Sequence, residues 1–191
     1  DELIDCHRLV GNLGAAESIV REQLDFIESA VAKAEGDERA LSKASSVRSA
    51  RRPRLLCVLG DVLRDGDLYE QAWEESGSRC GRAKRSLGRL ALDRKQWAIA
   101  VTHYRAALEL NPLYPDVWFS CGCAAIEAGD IEFAASAFTR VVQETQRNGE
   151  AWNNLGRVLC ELGRLKEGLN ALLEAAKYKR ESWRIWDNVL L

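Results

Sequence analysis

The stretch Ala151-Trp152-Asn153-Asn154-Leu155-Gly156 decides the fold, because it recurs at a fixed distance. Thirty-four residues upstream stands Val117-Trp118-Phe119-Ser120-Cys121-Gly122, and 34 downstream the pair Ile185-Trp186. Other columns keep the same step: Leu87, Cys121 and Leu155; Gly88, Gly122 and Gly156; Ala100, Ala134 and Gly168. So do Tyr104, Phe138 and Leu172, and then Ala107, Val141 and Ala175. Several independent columns at one period identify an array, in which each unit completes its core only against its neighbours.

The order of the columns matches the tetratricopeptide repeat: Trp, two residues, Leu-Gly, and later Ala, three residues, Phe. This predicts an all-α fold, a right-handed superhelix (α-solenoid) of antiparallel helix-turn-helix units at 81–114, 115–148 and 149–182, with a further first helix in 183–191. Within each unit the first helix covers about positions 2–14 and the second about 17–31. Large residues fill the seam between helices, whereas Gly and Ala let backbones approach closely. Gly129 and Gly163 suit a left-handed turn between helices, and Pro112 disfavours helix at Asn111. Upstream, Leu59-Gly60, Tyr69 and Ala72 mark a shortened, divergent repeat at 53–80, with Gly60 only 28 residues before Gly88. Residues 1–28 read as a helical hairpin degenerate in its first helix, since Gly11 and Ala16 repeat the spacing of Gly129 and Ala134, and Val20 takes the Phe column.

Residues 29–52 read as a polar linker or insertion. From residue 33 onward Leu41 and Val47 are its large apolar side chains, too few to bury much surface. A polar helix extending the second helix of the first hairpin is the alternative. Ser42, Ser45, Ser46 and Ser49, beside Arg48, Arg51 and Arg52, form a candidate phosphorylation segment.

Composition narrows the function classes. The 191 residues carry 27 basic and 29 acidic side chains, a formal charge of −2, which argues against bulk capture of nucleic acid. No apolar run reaches the roughly 18–20 residues of a membrane span, so no membrane partner is expected. The six cysteines (Cys6, Cys57, Cys80, Cys121, Cys123, Cys160) contain no C-x-x-C pair and read as reduced packing residues of an intracellular, cytoplasmic or nuclear protein. Cys121 and Cys123 point to different helix faces, and His7 and His103 lack a nucleophile relay. Asp61 and Asp65 read as helix-surface charges. No catalytic residue, cofactor or metal site is expected.

Three segments carry a narrower likeness: Arg52-Pro53-Arg54-Leu55-Leu56-Cys57-Val58-Leu59-Gly60-Asp61, Ala151-Trp152-Asn153-Asn154-Leu155 and Trp183-Arg184-Ile185-Trp186-Asp187-Asn188. With Tyr69-x-x-Ala72-Trp73-Glu74 and Arg82-Ala83-Lys84-Arg85-Ser86, they resemble the central repeats of the tetratricopeptide repeat protein 27 family. The resemblance implies a non-catalytic scaffold within a longer protein. The absence of methionine, and an array that stops inside a fourth unit, carry the same expectation of further chain on both sides.

Partner binding is expected along the first helices of the units. Arg82, Arg85 and Arg89 share one helix face and predict a basic stripe for an acidic protein or peptide partner, unless neighbours such as Glu75 and Asp93 pair with it. Phe119, Asn153, Arg157 and Arg184 continue the groove in later units. A chaperone-type carboxylate clamp needs Lys, Asn, Asn, Lys and Arg at five positions, occupied here by Arg85, Arg89, Ser120, Glu150 and Asn154. A shift of one unit places Phe119, Cys123, Asn154, Arg184 and Asn188 there instead. Neither frame completes the clamp. The leading expectation is therefore a protein-interaction scaffold, with a chaperone-associated adaptor and an RNA-binding repeat protein as alternatives.

Overall fold

A computed structural model describes residues 11–34 and 36–190, so the first helix expected for the amino-terminal hairpin, with Cys6 and His7, falls outside the described residues. The chain divides into two compact units, Asp1–Leu90 and Ala91–Leu191. Among the described residues the structure is helical, without strands. None of these helices is long and apolar enough to cross a membrane.

The first unit holds α1 (Leu13–Lys33), α2 (Glu38–Leu63), α3 (Gly66–Glu75) and the start of α4 (Gly81–Asp93). Asn12 caps α1 by accepting the Ala15 N–H at 3.2 Å. Ala16, Val20 and Ile27 of α1 pack on Leu55, Leu59 and Val62 of α2. The opposite side of α2 presents Leu56 and Cys57 to Tyr69, Ala72, Ala83 and Leu87.

The segment expected to be a flexible linker is instead helical. Asp37 accepts the Arg39 and Ala40 N–H groups, and α2 then runs unbroken for 26 residues through Pro53. Eight of its first 13 residues are Ala, Arg, Glu, Leu or Lys, which favour helix without a core to bury, against four Ser and one Val. Charge ties it down: Arg48 and Arg52 both pair with Glu28 of α1, and Arg52 also pairs with Glu75 of α3. The helix therefore extends forward into the following repeat, rather than back from the first hairpin. Ser42, Ser45, Ser46 and Ser49 are exposed along it.

The second unit contains α5 (Trp97–Leu110), α6 (Pro115–Ala128), α7 (Ile131–Glu144), α8 (Gly149–Glu161), α9 (Leu165–Tyr178) and α10 (Trp183–Leu190). Neighbouring helices pack pairwise around one core from Ala91 through Ala100, Tyr104, Cys121, Phe138, Val141 and Leu155 to Ala171. Trp152 covers a smaller cluster of Ala175, Ala176 and Ile185.

One turn geometry recurs throughout. Gly11, Arg64, Lys95, Gly129 and Gly163 have positive φ, and each immediately precedes the cap of the next helix. The N–H groups of Asp65, Gln96, Asp130 and Arg164 reach back to the carbonyls of Gly60, Ala91, Ala125 and Leu159 at 2.8–3.3 Å, closing a Schellman turn each time. These turns set a register that corrects the sequence alignment of the shortened repeat. Counting back seven residues from Gly129 and Gly163 reaches Gly122 and Gly156, but from Arg64 it reaches Cys57, not Gly60. Counting forward five reaches Ala134 and Gly168, but Tyr69 in the divergent repeat. Large and small have exchanged places there. A Cβ on Gly60 would lie 2.7 Å from Tyr69 Cε1, so Gly60 makes the room that the bulky Tyr69 requires.

The tryptophan column does more than fill a seam. Trp118, Trp152 and Trp186 each donate the indole N–H, at 2.8 Å, to the carbonyl six residues upstream: Pro112, Gln146 and Arg180. Each pins the loop that enters its own helix.

Candidate functional site

In the first unit, the arginine stripe has a partner inside the chain. Asp61, on the last turn of α2, has a side chain only 6 % exposed. Its Oδ2 accepts from Arg82 at 2.9 Å, and its Oδ1 accepts from Arg89 and from the Tyr69 hydroxyl, both at 2.8 Å. Ser86 Oγ lies 3.4 Å from the same Oδ1. Burial pushes the carboxyl pKa up, but the Tyr69 hydroxyl and Arg82, with Arg89 beyond, outweigh it and hold Asp61 below the usual carboxylate range. The pairing residue is therefore Asp61, which the sequence reading set among ordinary surface charges, rather than Glu75 or Asp93. Glu75 instead binds Arg52. Arg85 is half-buried on the same helix, and Lys84 pairs with Glu70 while lying 5.0 Å over the Trp73 ring.

The second unit carries two clefts along its first helices. One, of about 550 Å³, is lined by Leu92, Trp97, Cys123, Ala124, Ile126, Glu127, Asn154 and Arg157. The other, of about 360 Å³, is lined by Phe119, Glu150, Asn153, Asn154, Lys179, Ser182 and Ile185. Asn154 lines both. The Phe119 ring is held edge-on against Phe138, with centroids 5.6 Å apart, which fixes its direction. Arg157 is exposed at the rim.

Three expected groove residues thus line these clefts: Phe119, Asn153 and Arg157. Asn153 has a further task, since its Oδ1 accepts from Asn188 Nδ2 at 2.8 Å and ties α8 to α10. Glu150 pairs with Lys179, so neither charge stands isolated in the smaller cleft. Arg184 occupies the second position of α10, and its side chain lies outside the described residues. From the sequence alone Asn154 stands out only as a clamp position. Nothing in the Trp152-Asn153-Asn154 run singles out the second asparagine, because the clefts are formed between helices.

The cysteine pair of α6 also divides by face. Cys121 is buried, and burial pushes its thiol pKa up to about 12, while Cys123 opens onto the larger cleft. His103 is half-buried in α5.

Known proteins share this repeat fold. The tetratricopeptide repeat family matches residues 85–122 and 121–183. The tetratricopeptide repeat protein 27 homolog of Dictyostelium discoideum is 35% identical over 190 residues, covering 100% of this chain and 20% of the relative. The TPR repeat-containing protein C19B12.01 of Schizosaccharomyces pombe is 33% identical over 139 residues, 72% of this chain and 17% of its own length. This chain thus spans about a fifth of the curated relatives it matches. Among solved structures, the tetratricopeptide protein YrrB, described as having an unusual peptide-binding site, superposes with a TM-score of 0.67 at 19% identity, covering 100% of this chain and 90% of its own. With the helical hairpins, the recurring turns and the matched repeats in agreement, this chain belongs to the tetratricopeptide repeat family.

Proposed function

We propose that the second unit is a non-catalytic protein-interaction module that binds an extended segment of a partner protein along α6, α8 and α10. One observation carries the reading: Asn154 lines both open clefts, the larger walled mainly by Leu92, Trp97, Ala124 and Ile126, the smaller mostly polar around Phe119. A carboxamide there offers one acceptor and two donors, matched to the alternating N–H and C=O groups of an extended peptide. Phe119 and Ile126 supply apolar contact, and Arg157 supplies a cation for an acidic side chain. The peptide-binding site ascribed to YrrB supports the choice of ligand class.

The first unit's arginines suit this role less well. With Asp61 already held between Arg82 and Arg89, an acidic partner would have to displace a buried carboxylate that both arginines satisfy. Asn154→Ala with Arg157→Glu tests the proposal. Capture of cellular partners should fall about tenfold, equivalent to ~1.4 kcal/mol, while the helical circular dichroism stays unchanged. Undiminished capture by a folded double variant would overturn the groove assignment. Salt-sensitive recovery of RNA instead of protein would move the chain into the nucleic-acid class.

A further inference from the structure

Outside the clefts, one pair of nucleophilic side chains stands in contact. Cys57 sits in the carboxy-terminal third of α2 and is fully buried, while Cys80 is half-buried on the short turn before α4. Their Sγ atoms are 3.6 Å apart. We propose that Cys57 and Cys80 form a reversible disulfide when the protein meets a peroxide, making this pair a redox modification site of the first unit.

The geometry supports closure. A disulfide needs its sulfurs about 2.05 Å apart, so the gap must shrink by about 1.5 Å. Cys57 is locked in a packed helix, and the movement falls on Cys80. That residue follows Ser76-Gly77-Ser78, where Gly77 and Ser78 have φ of 63° and 62°. The Ser76 hydroxyl donates to the Trp73 carbonyl and accepts the Arg79 and Cys80 N–H groups, holding the turn from one side chain. Cys80 stands outside the helical hydrogen-bond ladder, so its side chain can turn toward Cys57 without breaking that ladder.

The two thiols are also unlike. A hydrogen bond from Cys57 lowers the Cys80 pKa, against burial and with help from the Ala83 and Arg82 N–H groups at the start of α4. The same contact, with burial, raises that of Cys57. The more exposed sulfur is thus the more readily ionised and the buried one the better held as a thiol, the division of labour of an attacking and a resolving cysteine.

The Cys80 thiolate attacks one peroxide oxygen, the O–O bond breaks, and the departing hydroxide takes a proton to become water. Cys80 is then a sulfenic acid. The Cys57 sulfur attacks it, the S–S bond forms as the S–O bond breaks, and the leaving hydroxide collects the Cys57 thiol proton. Two thiols and one hydrogen peroxide give one disulfide and two waters, the sulfurs losing the two electrons that the peroxide gains. A dithiol reductant reverses it.

The full chain, reduced and then treated with one equivalent of hydrogen peroxide, tests the proposal. After blocking of free thiols and digestion without reductant, mass spectrometry should find the Cys57 and Cys80 peptides linked. The unfolding midpoint should rise by about 6 °C, as expected for a closed loop of this length, and fall back on adding dithiothreitol. Cys57→Ser should leave a dimedone-reactive sulfenic acid on Cys80 and abolish the rise. Free Cys57 and Cys80 thiols after that treatment would overturn the proposal. So would Cys80 oxidised alone in the wild-type chain, or Cys80 linked to another cysteine.

Discussion

Gly168 shows how one atom decides a column. Its counterparts are Ala100 and Ala134, yet a Cβ at 168 would lie 2.4 Å from Cys160 Sγ and 3.0 Å from the Gly156 carbonyl. Gly168→Ala should therefore cost about 1 kcal/mol, even though alanine favours helix by a similar amount. Adding Cys160→Ala should recover most of the lost Tm, because it removes the nearer obstacle. Asp61 offers a second test. Asp61→Asn should destabilise the first unit by about 2 kcal/mol at neutral pH, since Arg82 and Arg89 lose an ionised acceptor. Its folded pKa is lowered, so the wild-type advantage is fully present above the unfolded carboxylate value near ~3.9 and fades as pH falls through the folded one. Denaturation of both proteins between pH 7 and 3 measures this. At this scale the sequence spoke unevenly. Glycine and tryptophan columns were visible because one residue type does one job at each. The pairing of Asp61 was invisible, since its partners lie 21 and 28 residues away, and no pattern along one helix reports contacts between helices.

Among the elements, α2 was the hardest to anticipate. Burial is the expected source of order in its polar half, but a side-chain cap at Asp37 and the ties of Arg48 and Arg52 to Glu28 and Glu75 supply it instead. Asp37→Ala should cost about 1 kcal/mol by freeing the N–H groups it accepts. Loss of amide protection should concentrate in residues 38–52 and leave 55–62, which carry the packed face, nearly unchanged. The register of the divergent repeat was missed for a related reason. The last two full copies mark their turn with Gly129 and Gly163, whereas this one uses Arg64 at φ 54° and the next Lys95 at φ 57°, so the Leu59-Gly60 pair attracts an alignment that belongs three residues earlier. Left-handed arginine costs about 1 kcal/mol, and nothing in its chemistry announces that it will adopt that shape.

Across the whole molecule, stability should be local. In repeat architectures each unit is held chiefly by its immediate neighbours, so a lesion in one compact unit should be felt there first. A Cβ at Gly156 would meet Leu172 Cγ at 2.6 Å. Gly156→Leu should therefore speed amide exchange in α8 and α9 by about tenfold or more, while α1–α3 keep wild-type rates. Uniform acceleration along the chain would contradict that expectation. The repeat period was legible throughout the second unit, because all of its columns recur there. The tryptophan bonds add a boundary that the period alone leaves arbitrary. Since Trp118, Trp152 and Trp186 hold the carbonyls of Pro112, Gln146 and Arg180, each loop is built by the hairpin that follows it. A duplication or deletion that keeps whole modules would therefore cut just before those carbonyl residues, themselves 34 apart, so that every loop travels with the indole that orders it. A cut made at the start of each helix would carry the same number of residues and strand every loop on the wrong side.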